Sequence, residues 1–199
     1  QELLNPEMVR VVQLPLHPSL SAQLTSQVRD DHLNCIQRDS FIRLNERIAE
    51  VKRLTYMTGP QGVGKSFALY HLWCSLNVQS DVRVAYVPHC GLLNDPDNLE
   101  MIQAFVAAFA KDDMQSFLYH CLTNTLLDPN TWRPRSWQGF LRGVQAYCKE
   151  KGLKFVAIFD QHNALDPSRR KTAPTDFQHW QLYMGSARVV VSASANNED

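Results

Sequence analysis

Apolar residues along this chain follow two kinds of pattern. Four short segments rich in apolar and β-branched residues predict β-strands, at residues 54–58, 82–87, 155–159 and 188–192. In longer segments apolar residues recur every three or four positions, which predicts amphipathic helices. These helices comprise one from Asp39, one after residue 66, three between residues 91 and 150, and one through Phe177, Trp180 and Met184.

The order of these elements predicts the fold class. Strands alternate with helices, and residues 155–159 are apolar throughout, which is typical of a strand buried on both faces of a parallel sheet. We therefore expect an α/β fold of three layers, with a mostly parallel sheet and a helical insertion between its second and third strands. Residues 1–38 are weakly patterned and punctuated by proline, so we interpret them as an N-terminal linker or extension before a domain at 39–199.

Overall charge and composition narrow the class of protein. The 199 residues suffice for one domain, and 20 Lys and Arg residues balance 20 Asp and Glu residues. A zero net charge argues against the strongly basic surface of non-specific nucleic-acid binders. No apolar run approaches the roughly 20 residues of a membrane-spanning helix, so we expect no membrane partner. The chain begins at Gln1, which indicates a fragment or a processed form.

The cysteines and histidines show no metal-ligand spacing. Five cysteines are scattered and never form a C-x-x-C pair: Cys35, Cys74, Cys90, Cys121 and Cys148. Neither a disulfide framework nor a zinc site has this distribution. We expect reduced, mostly buried thiols and an intracellular, reducing compartment, either cytoplasm or nucleus.

One segment carries a specific chemistry. Residues 59–66 fit the pattern G-x-x-x-x-G-K-[ST], with a predicted strand before them and an amphipathic helix after them. Glycines let the backbone wrap around a phosphate and aim successive N–H groups at it, and the helix N-terminus adds partial positive charge. The predicted nucleotide-binding residues are Gly59, Pro60, Gln61, Gly62, Val63, Gly64, Lys65, Ser66 and Phe67.

Besides this loop, magnesium binding needs an acidic side chain at the end of a neighbouring strand. Lys65 is expected to reach the β- and γ-phosphates of ATP, and the Ser66 hydroxyl to bind Mg²⁺. Asp160, directly after residues 155–159, is the best candidate for the acid. The chain between Lys65 and Asp160 accommodates a further strand and several helices. This suits the P-loop NTPase class in which an extra strand separates the phosphate strand from the acid strand.

Two further positions are predicted to take part in hydrolysis. Many ATPases of this class carry Asp-Glu where this chain has Asp160 and Gln161. A glutamine cannot accept a proton but can orient water, so Gln161 indicates either a water-positioning residue or slow hydrolysis, completed if at all by a partner. After the fourth strand Ser194 is the first candidate for sensing the γ-phosphate, with Ser192 and Asn196 as alternatives to it.

Weaker signals have plainer explanations. The basic triplet 169–171 is most simply a solvated loop, with an arginine finger or a nucleic-acid contact as alternatives. His162 follows the acid closely and is a minor candidate for the γ-phosphate site. Residues 36–41 precede the first predicted strand and are candidates for lining the site of the nucleotide base.

Three stretches together resemble a known family. They are residues 59–66 leading into Leu69 and Tyr70, residues 159–165, and residues 191–198. Their combination is similar to the P-loop NTPase domain of the Crinkler effectors, which is related to retrotransposon-hot-spot ATPases and to AAA+ and STAND ATPases. The resemblance implies ATP hydrolysis upstream of a separate toxin domain, often nuclease-like, in a secreted protein that acts in host nuclei.

The resemblance also implies roles for single residues, and this sequence departs from the family's pattern in some respects. It assigns catalytic or binding roles to Lys65, Ser66, Asp160, Gln161 and Ser194. The family's fifth strand, helical lid and effector domain find no counterpart here, so we expect a C-terminally truncated domain. Nucleic acid would then be bound only by a domain outside this chain.

Two functions of different classes follow from these residues. The first is an ATPase in which activated water attacks the γ-phosphate. The second is a nucleotide-gated interaction module in which ATP orders a homo-oligomer and turnover is incidental. A small-molecule kinase is a third and weaker hypothesis, because no set of arginines converges on a second substrate.

Overall fold

A computed structural model describes residues 10–14, 16, 22–50, 54–90, 99–123, 137–161 and 187–195 of the chain. Its elements, in chain order, are β1 (Arg10–Leu14), α1 (Ala22–Thr25), β2 (Val28–Arg29), β3 (His32–Gln37), α2 (Asp39–Glu50), β4 (Leu54–Pro60), α3 (Lys65–Asn77), β5 (Val82–Val87), α4 (Leu99–Ala108), α5 (Met114–Thr123), α6 (Trp137–Lys151), β6 (Lys154–Phe159) and β7 (Arg188–Ala195).

The four predicted strands are confirmed and form one parallel sheet. Their order is β4-β7-β6-β5, so β7 lies between the phosphate strand β4 and the acid strand β6, as predicted. β4 and β7 run further than their sequence patterns indicated, to Pro60 and Ala195. Because every strand of this sheet is parallel, all four carboxyl ends reach the same edge.

Side chains of the sheet alternate between two cores, which confirms the three-layer α/β architecture. On β6, Val156 and Ile158 belong to the core beneath α3, whereas Phe155 and Phe159 belong to the core beneath α4, α5 and α6. This alternation follows from the two-residue period of a strand. The continuous apolar run of β6 is therefore explained by burial on both faces.

The helical insertion between the second and third strands is also confirmed. It contains α4, α5 and α6, with residues 91–98 and 124–136 outside the described part. A buried ion pair holds the turn between α4 and α5 to β5, because Arg83 donates from Nε to Asp112 Oδ2 at 2.7 Å and from a terminal nitrogen to Oδ1 at 2.5 Å. The Asp112 carboxylate raises the pKa of Arg83, so this arginine stays charged in the fold.

The N-terminal segment, interpreted from its sequence as a linker or extension, contains strands that its pattern did not predict. β1, β3 and β2 form a three-stranded antiparallel sheet. Leu14, Leu24 and Leu33 are buried in the same core as Leu69 of α3. Such short strands leave too few alternating positions for a clear hydrophobic period. The division of the chain at residue 38 stays a prediction.

Some of the residues and segments predicted from the sequence lie outside the described part of the chain. The predicted helix through residues 177–184, the basic triplet 169–171, His162 and Asn196 lie outside it. Cys74, Cys90, Cys121 and Cys148 are buried thiols outside any disulfide, and burial raises the pKa of Cys121 and of Cys148 to about 12. None of the described helices is both long and apolar enough to cross a membrane.

Gly143 permits a close contact between α5 and α6. A Cβ atom at this position would lie 2.5 Å from the carbonyl oxygen of His120 and 2.6 Å from Cα of Cys121. Both obstacles are backbone atoms, so rotation of a side chain cannot relieve them. The residue is therefore required by packing and not by an unusual backbone angle.

We expect Gly143→Ala to lower the free energy of unfolding by about 1–3 kcal/mol, because overpacking outweighs the roughly 1 kcal/mol that alanine normally gains in a helix. Urea denaturation measures the effect. Arg142→Ala, at the exposed neighbouring position, is the matched control and should change stability by less than about 0.5 kcal/mol. A Gly143→Ala variant as stable as the wild type would contradict the tight contact.

His71 of α3 makes stability depend on pH. Its ring lies 5.5 Å from that of Phe41 on α2, and burial lowers its pKa below the usual value of 6.5. The unfolded chain therefore takes up a proton at a pH where the folded chain does not. Stability contributed by neutral His71 is present above pH 6.5 and is lost as the pH falls below that value.

We expect the free energy of unfolding to decrease between pH 7.5 and pH 5.5, and less steeply in His71→Gln. Urea denaturation of both proteins at the two pH values gives the comparison. Titration of the other groups is common to both proteins and cancels in the difference. Equal slopes for wild type and variant would show that His71 is not the group responsible.

Candidate functional site

The predicted phosphate loop follows β4 directly and leads into α3. Gly59, Gly62 and Gly64 adopt φ angles of 152°, 84° and 91°. Residues that carry a Cβ atom rarely adopt these backbone angles, so glycine is needed here to bend the backbone. Gly64 caps α3 in the left-handed conformation, and Lys65 and Ser66 form the first turn of the helix. The segment therefore has the strand, turn and helix context that its sequence pattern requires.

Lys65 is folded back over the start of this loop. Its side chain is buried, with 8% exposure, and Nζ donates hydrogen bonds to the carbonyl oxygens of Gly59 at 2.8 Å and Pro60 at 2.7 Å. The two acceptors are neutral, so they hold the ammonium group without neutralising its charge. Lys65 thus places a positive charge against the loop that the sequence assigns to phosphates.

The register of the sheet sets the spacing between the loop and the acid strand. Gly59 of β4 is opposite Ser194 of β7, and Phe159 of β6 is opposite Val191. Asp160 directly follows Phe159, the last residue of β6, and the single strand β7 separates β6 from β4. Its neighbours two and four positions back, Ile158 and Val156, face the core under α3.

Asp160 is buried, with 1% exposure, and its two carboxylate oxygens have different surroundings. Oδ1 accepts a hydrogen bond from Ser192 Oγ and another from the Gln161 backbone N–H at 2.9 Å. Oδ2 is buried and has no hydrogen-bond partner among the described residues. A buried carboxylate oxygen without a donor is a suitable ligand for a hard cation such as Mg²⁺, so this residue fits the predicted metal site.

The main chain fixes the turn that carries Asp160. The Asp160 N–H donates to the Val87 carbonyl at 2.9 Å, and the Cys90 N–H donates to the Asp160 carbonyl at 3.0 Å. The pKa of Tyr86 on β5 is raised, first by burial of its hydroxyl and second by the nearby charge of Asp160. The Asp160 carboxylate is therefore shielded from solvent, on a turn that two backbone hydrogen bonds hold to the end of β5 and to Cys90.

Gln161 adopts a left-handed backbone conformation, with φ of 56°. Non-glycine residues rarely adopt it, and such strain often marks a functional turn. The backbone N–H is shared between Asp160 Oδ1 at 2.9 Å and Ser192 Oγ at 3.1 Å. The backbone of Gln161 is thus tied to the acid, while the water-positioning role of its amide stays a prediction.

The two serines of β7 occupy different places. Ser194, the first candidate for sensing the γ-phosphate, lies beside Gly59 in register, and its role stays a prediction. Ser192, one of the alternatives, is buried and bonded to Asp160. The sequence held only a general signal, that a hydroxyl at a buried strand position requires a partner, and did not show which serine lies beside Asp160. Among the described residues no three His, Cys, Asp or Glu side chains cluster as a metal site.

A cavity of about 210 Å³ adjoins the glycine loop. Its walls come from the turn before β2, from β3, from the start of α2, and from the glycine loop and α3: Gln27, Asn34, Ile36, Arg38, Phe41, Gly64 and Phe67. The segment 36–41, a sequence candidate for the base site, therefore lies next to the loop. Gln27, in the turn before β2, and Asn34 of β3 were missed, because the N-terminal sheet was not predicted.

Comparison with known proteins adds distant likenesses. No family model and no curated protein matches the chain. It is similar to the solved structure of a Walker-type ATPase of Pyrococcus abyssi, at 17% identity and a TM-score of 0.49, over 84% of this chain and 47% of that one. It is also similar to Cdc6p from Pyrobaculum aerophilum, at 13% identity and a TM-score of 0.45, over 78% and 38%.

This chain spans less than half the length of either of these proteins. Likenesses of this order carry no argument about function. The sheet order β4-β7-β6-β5, with a glycine loop between β4 and α3, is present in this chain itself. On these grounds the fold is a three-layer α/β P-loop NTPase core.

Proposed function

We propose that this chain is an ATP-binding domain that hydrolyses ATP with Mg²⁺. The observation that carries the proposal is the buried carboxylate of Asp160, whose Oδ2 has no hydrogen-bond partner in the described part of the chain. Only β7 lies between the strand that leads to Asp160 and the strand that leads to the phosphate loop. A buried carboxylate with a free oxygen is unfavourable without a cation. Lys65, on the loop side, supplies the complementary charge for phosphate.

The loop and Lys65 would bind the phosphates. Backbone N–H groups of residues 61–66 and the N-terminus of α3 provide donors for the β- and γ-phosphates. Lys65 would exchange the carbonyls of Gly59 and Pro60 for phosphate oxygens, which are charged and therefore stronger acceptors. Ser66 and Asp160 would hold Mg²⁺, which, when bound, neutralises charge on the β- and γ-phosphates.

Hydrolysis needs a water aligned with the γ-phosphate. The water oxygen forms a bond to the γ-phosphorus, the bond from that phosphorus to the bridging oxygen breaks, and ADP and inorganic phosphate result. Gln161 follows Asp160 and can hold the water through its amide, although it cannot accept the proton, which passes to the phosphate oxygens. Ser194, beside Gly59 at the same sheet edge, would contact the γ-phosphate.

The cavity beside Gly64 and Phe67 would receive the nucleoside. Phe41, Phe67 and Ile36 offer apolar surface to a planar base, and Asn34, Gln27 and Arg38 offer polar groups at its margin. Pockets of this composition bind a ligand by apolar contact and orient it by a few polar groups. The N-terminal sheet would then be part of the nucleotide site.

A second function is supported by a specific residue. Gln161 in place of the glutamate usual in this class removes the general base, which favours slow turnover. In this case bound ATP would order a homo-oligomer, and hydrolysis would be incidental. The resemblance to Crinkler effectors remains a proposal supported by the three stretches quoted above; it would place the nuclease-like chemistry, and any nucleic-acid contact, in another domain.

We expect wild type to bind ATP in the presence of Mg²⁺ and to release phosphate, and Lys65→Ala to lose both by at least about tenfold, since a charged donor to phosphate is removed. Gln161→Ala should keep binding and lose turnover, and Gln161→Glu should hydrolyse faster. Isothermal titration measures binding, and a coupled assay measures phosphate. Lys149→Ala, on the exposed surface of α6, is the control for removing a lysine.

Three outcomes would revise the proposal. Tight binding with no phosphate above background, in wild type and in Gln161→Glu, would contradict the ATPase and favour the nucleotide-gated module. No Mg-nucleotide binding at all would contradict both. Loss of binding in Lys149→Ala equal to that in Lys65→Ala would show that a general charge effect, and not the loop, is measured.

Ile36 tests the base cavity. Its side chain is 49% exposed, so we expect Ile36→Ala to fold normally while weakening ATP binding several-fold through lost apolar contact. Inorganic tripolyphosphate lacks the base, so its affinity should not change. Isothermal titration with both ligands gives the comparison, and Ile42→Ala, another exposed isoleucine, is the control. Equal weakening of both ligands would show that the cavity does not hold the base.

A further inference from the structure

We propose that Ser192 is a positioning residue that makes the Asp160 carboxylate a one-sided metal ligand, with Oδ1 held by the protein and Oδ2 left for the cation. The inference rests on the proposed function, since it concerns the metal of the same Mg-nucleotide site. It gives Ser192 a role different from contact with the γ-phosphate.

The first observation is that Ser192 has a buried hydroxyl whose hydrogen bonds close a small ring. Ser192 is 1% exposed, next to the apolar Val191 in the middle of the sheet. Its Oγ lies in hydrogen-bond contact with Asp160 Oδ1, and the Gln161 N–H donates to the same Oγ at 3.1 Å. An ionised carboxylate only accepts hydrogen bonds, so the serine must donate to Oδ1 while it accepts from Gln161.

The second observation is the asymmetry of the carboxylate. Oδ1 receives two donors, Ser192 Oγ and the Gln161 N–H, whereas Oδ2, also buried, receives none among the described residues. Turning the carboxylate plane out of this orientation would break both hydrogen bonds, and a half-turn only exchanges two equivalent oxygens. The orientation is therefore fixed before any cation binds, and Oδ2 is the oxygen available for it.

The third observation is that the two partners come from adjacent strands. Val191 and Phe159 are paired in the parallel register of β7 and β6, and each is followed by the residue in question, Ser192 and Asp160. The sheet thus sets the distance between hydroxyl and carboxylate. Groups that orient a metal ligand in this way commonly change metal affinity by about 10–100-fold when removed.

The geometry also links the metal ligand to Gln161. The shared N–H holds the left-handed turn at Gln161, so the same serine fixes the start of the side chain that would position water. Loss of the hydroxyl should therefore affect both metal affinity and turnover. If Ser192 acted only in packing, a substitution that conserves its volume would change neither metal affinity nor turnover.

The test measures metal affinity directly. Mn²⁺ is titrated into the full chain saturated with ADP, and free Mn²⁺ is read by electron paramagnetic resonance. We expect Ser192→Ala to weaken Mn²⁺ affinity by about 10–100-fold, and Ser192→Thr, which keeps the hydroxyl, to restore most of it. ADP affinity without metal should be unchanged in both. Asp160→Asn marks the loss of the ligand itself.

Controls separate this inference from stability and from the proposed function. Ser75→Ala removes a partly buried serine of α3 that donates to the His71 carbonyl, so it should lower stability and leave Mn²⁺ affinity unchanged. Wild-type affinity in Ser192→Ala, or equal losses in the alanine and threonine variants, would overturn the positioning role while nucleotide binding stands. Absence of ADP binding by wild type would overturn the inference together with the proposed function.

Discussion

A parallel sheet brings the carboxyl ends of its strands to one edge, and the candidate site of this chain depends on that constraint. β4 delivers the glycine loop there, β6 delivers Asp160, and β7 between them delivers Ser192. A shift of one residue in any strand would turn its polar end residue to the opposite face. Burial of alternate residues in the two cores prevents such a shift, so the packing of the sheet also fixes the chemistry of its edge.

The two charged groups at this edge are held by neutral partners and not by each other. Lys65 donates to the Gly59 and Pro60 carbonyls, and Asp160 accepts from a hydroxyl and a peptide N–H. An ion pair between them would cancel the charges that phosphate and a cation are expected to meet. Neutral partners orient both groups before any ligand binds, and the unfavourable burial of two unpaired charges is relieved only when phosphate and cation bind.

Strong local patterns allowed most of the core to be predicted. The apolar run of β6, the glycine loop and the periodicity of the helices indicated the three layers, a class with an extra strand between the phosphate and acid strands, and Lys65 and Asp160 as candidates. The N-terminal sheet was missed because its strands are short and its stability comes from packing against α3, a tertiary effect. Ser192 was ranked below Ser194 because sequence alone does not reveal which serine a neighbouring strand places beside Asp160.

In the proposed site, a nucleotide bound at the glycine loop shares a cation with Oδ2 of Asp160. A crystal structure of the chain with Mg²⁺ and a non-hydrolysable ATP analogue tests it most directly. We predict phosphates on residues 59–66, Lys65 turned from the carbonyls to the phosphates, and the cation held on the Oδ2 side of Asp160, with Oδ1 still bonded to Ser192. Phosphates bound elsewhere, or a cation with no contact to Asp160 either directly or through its water shell, would contradict it.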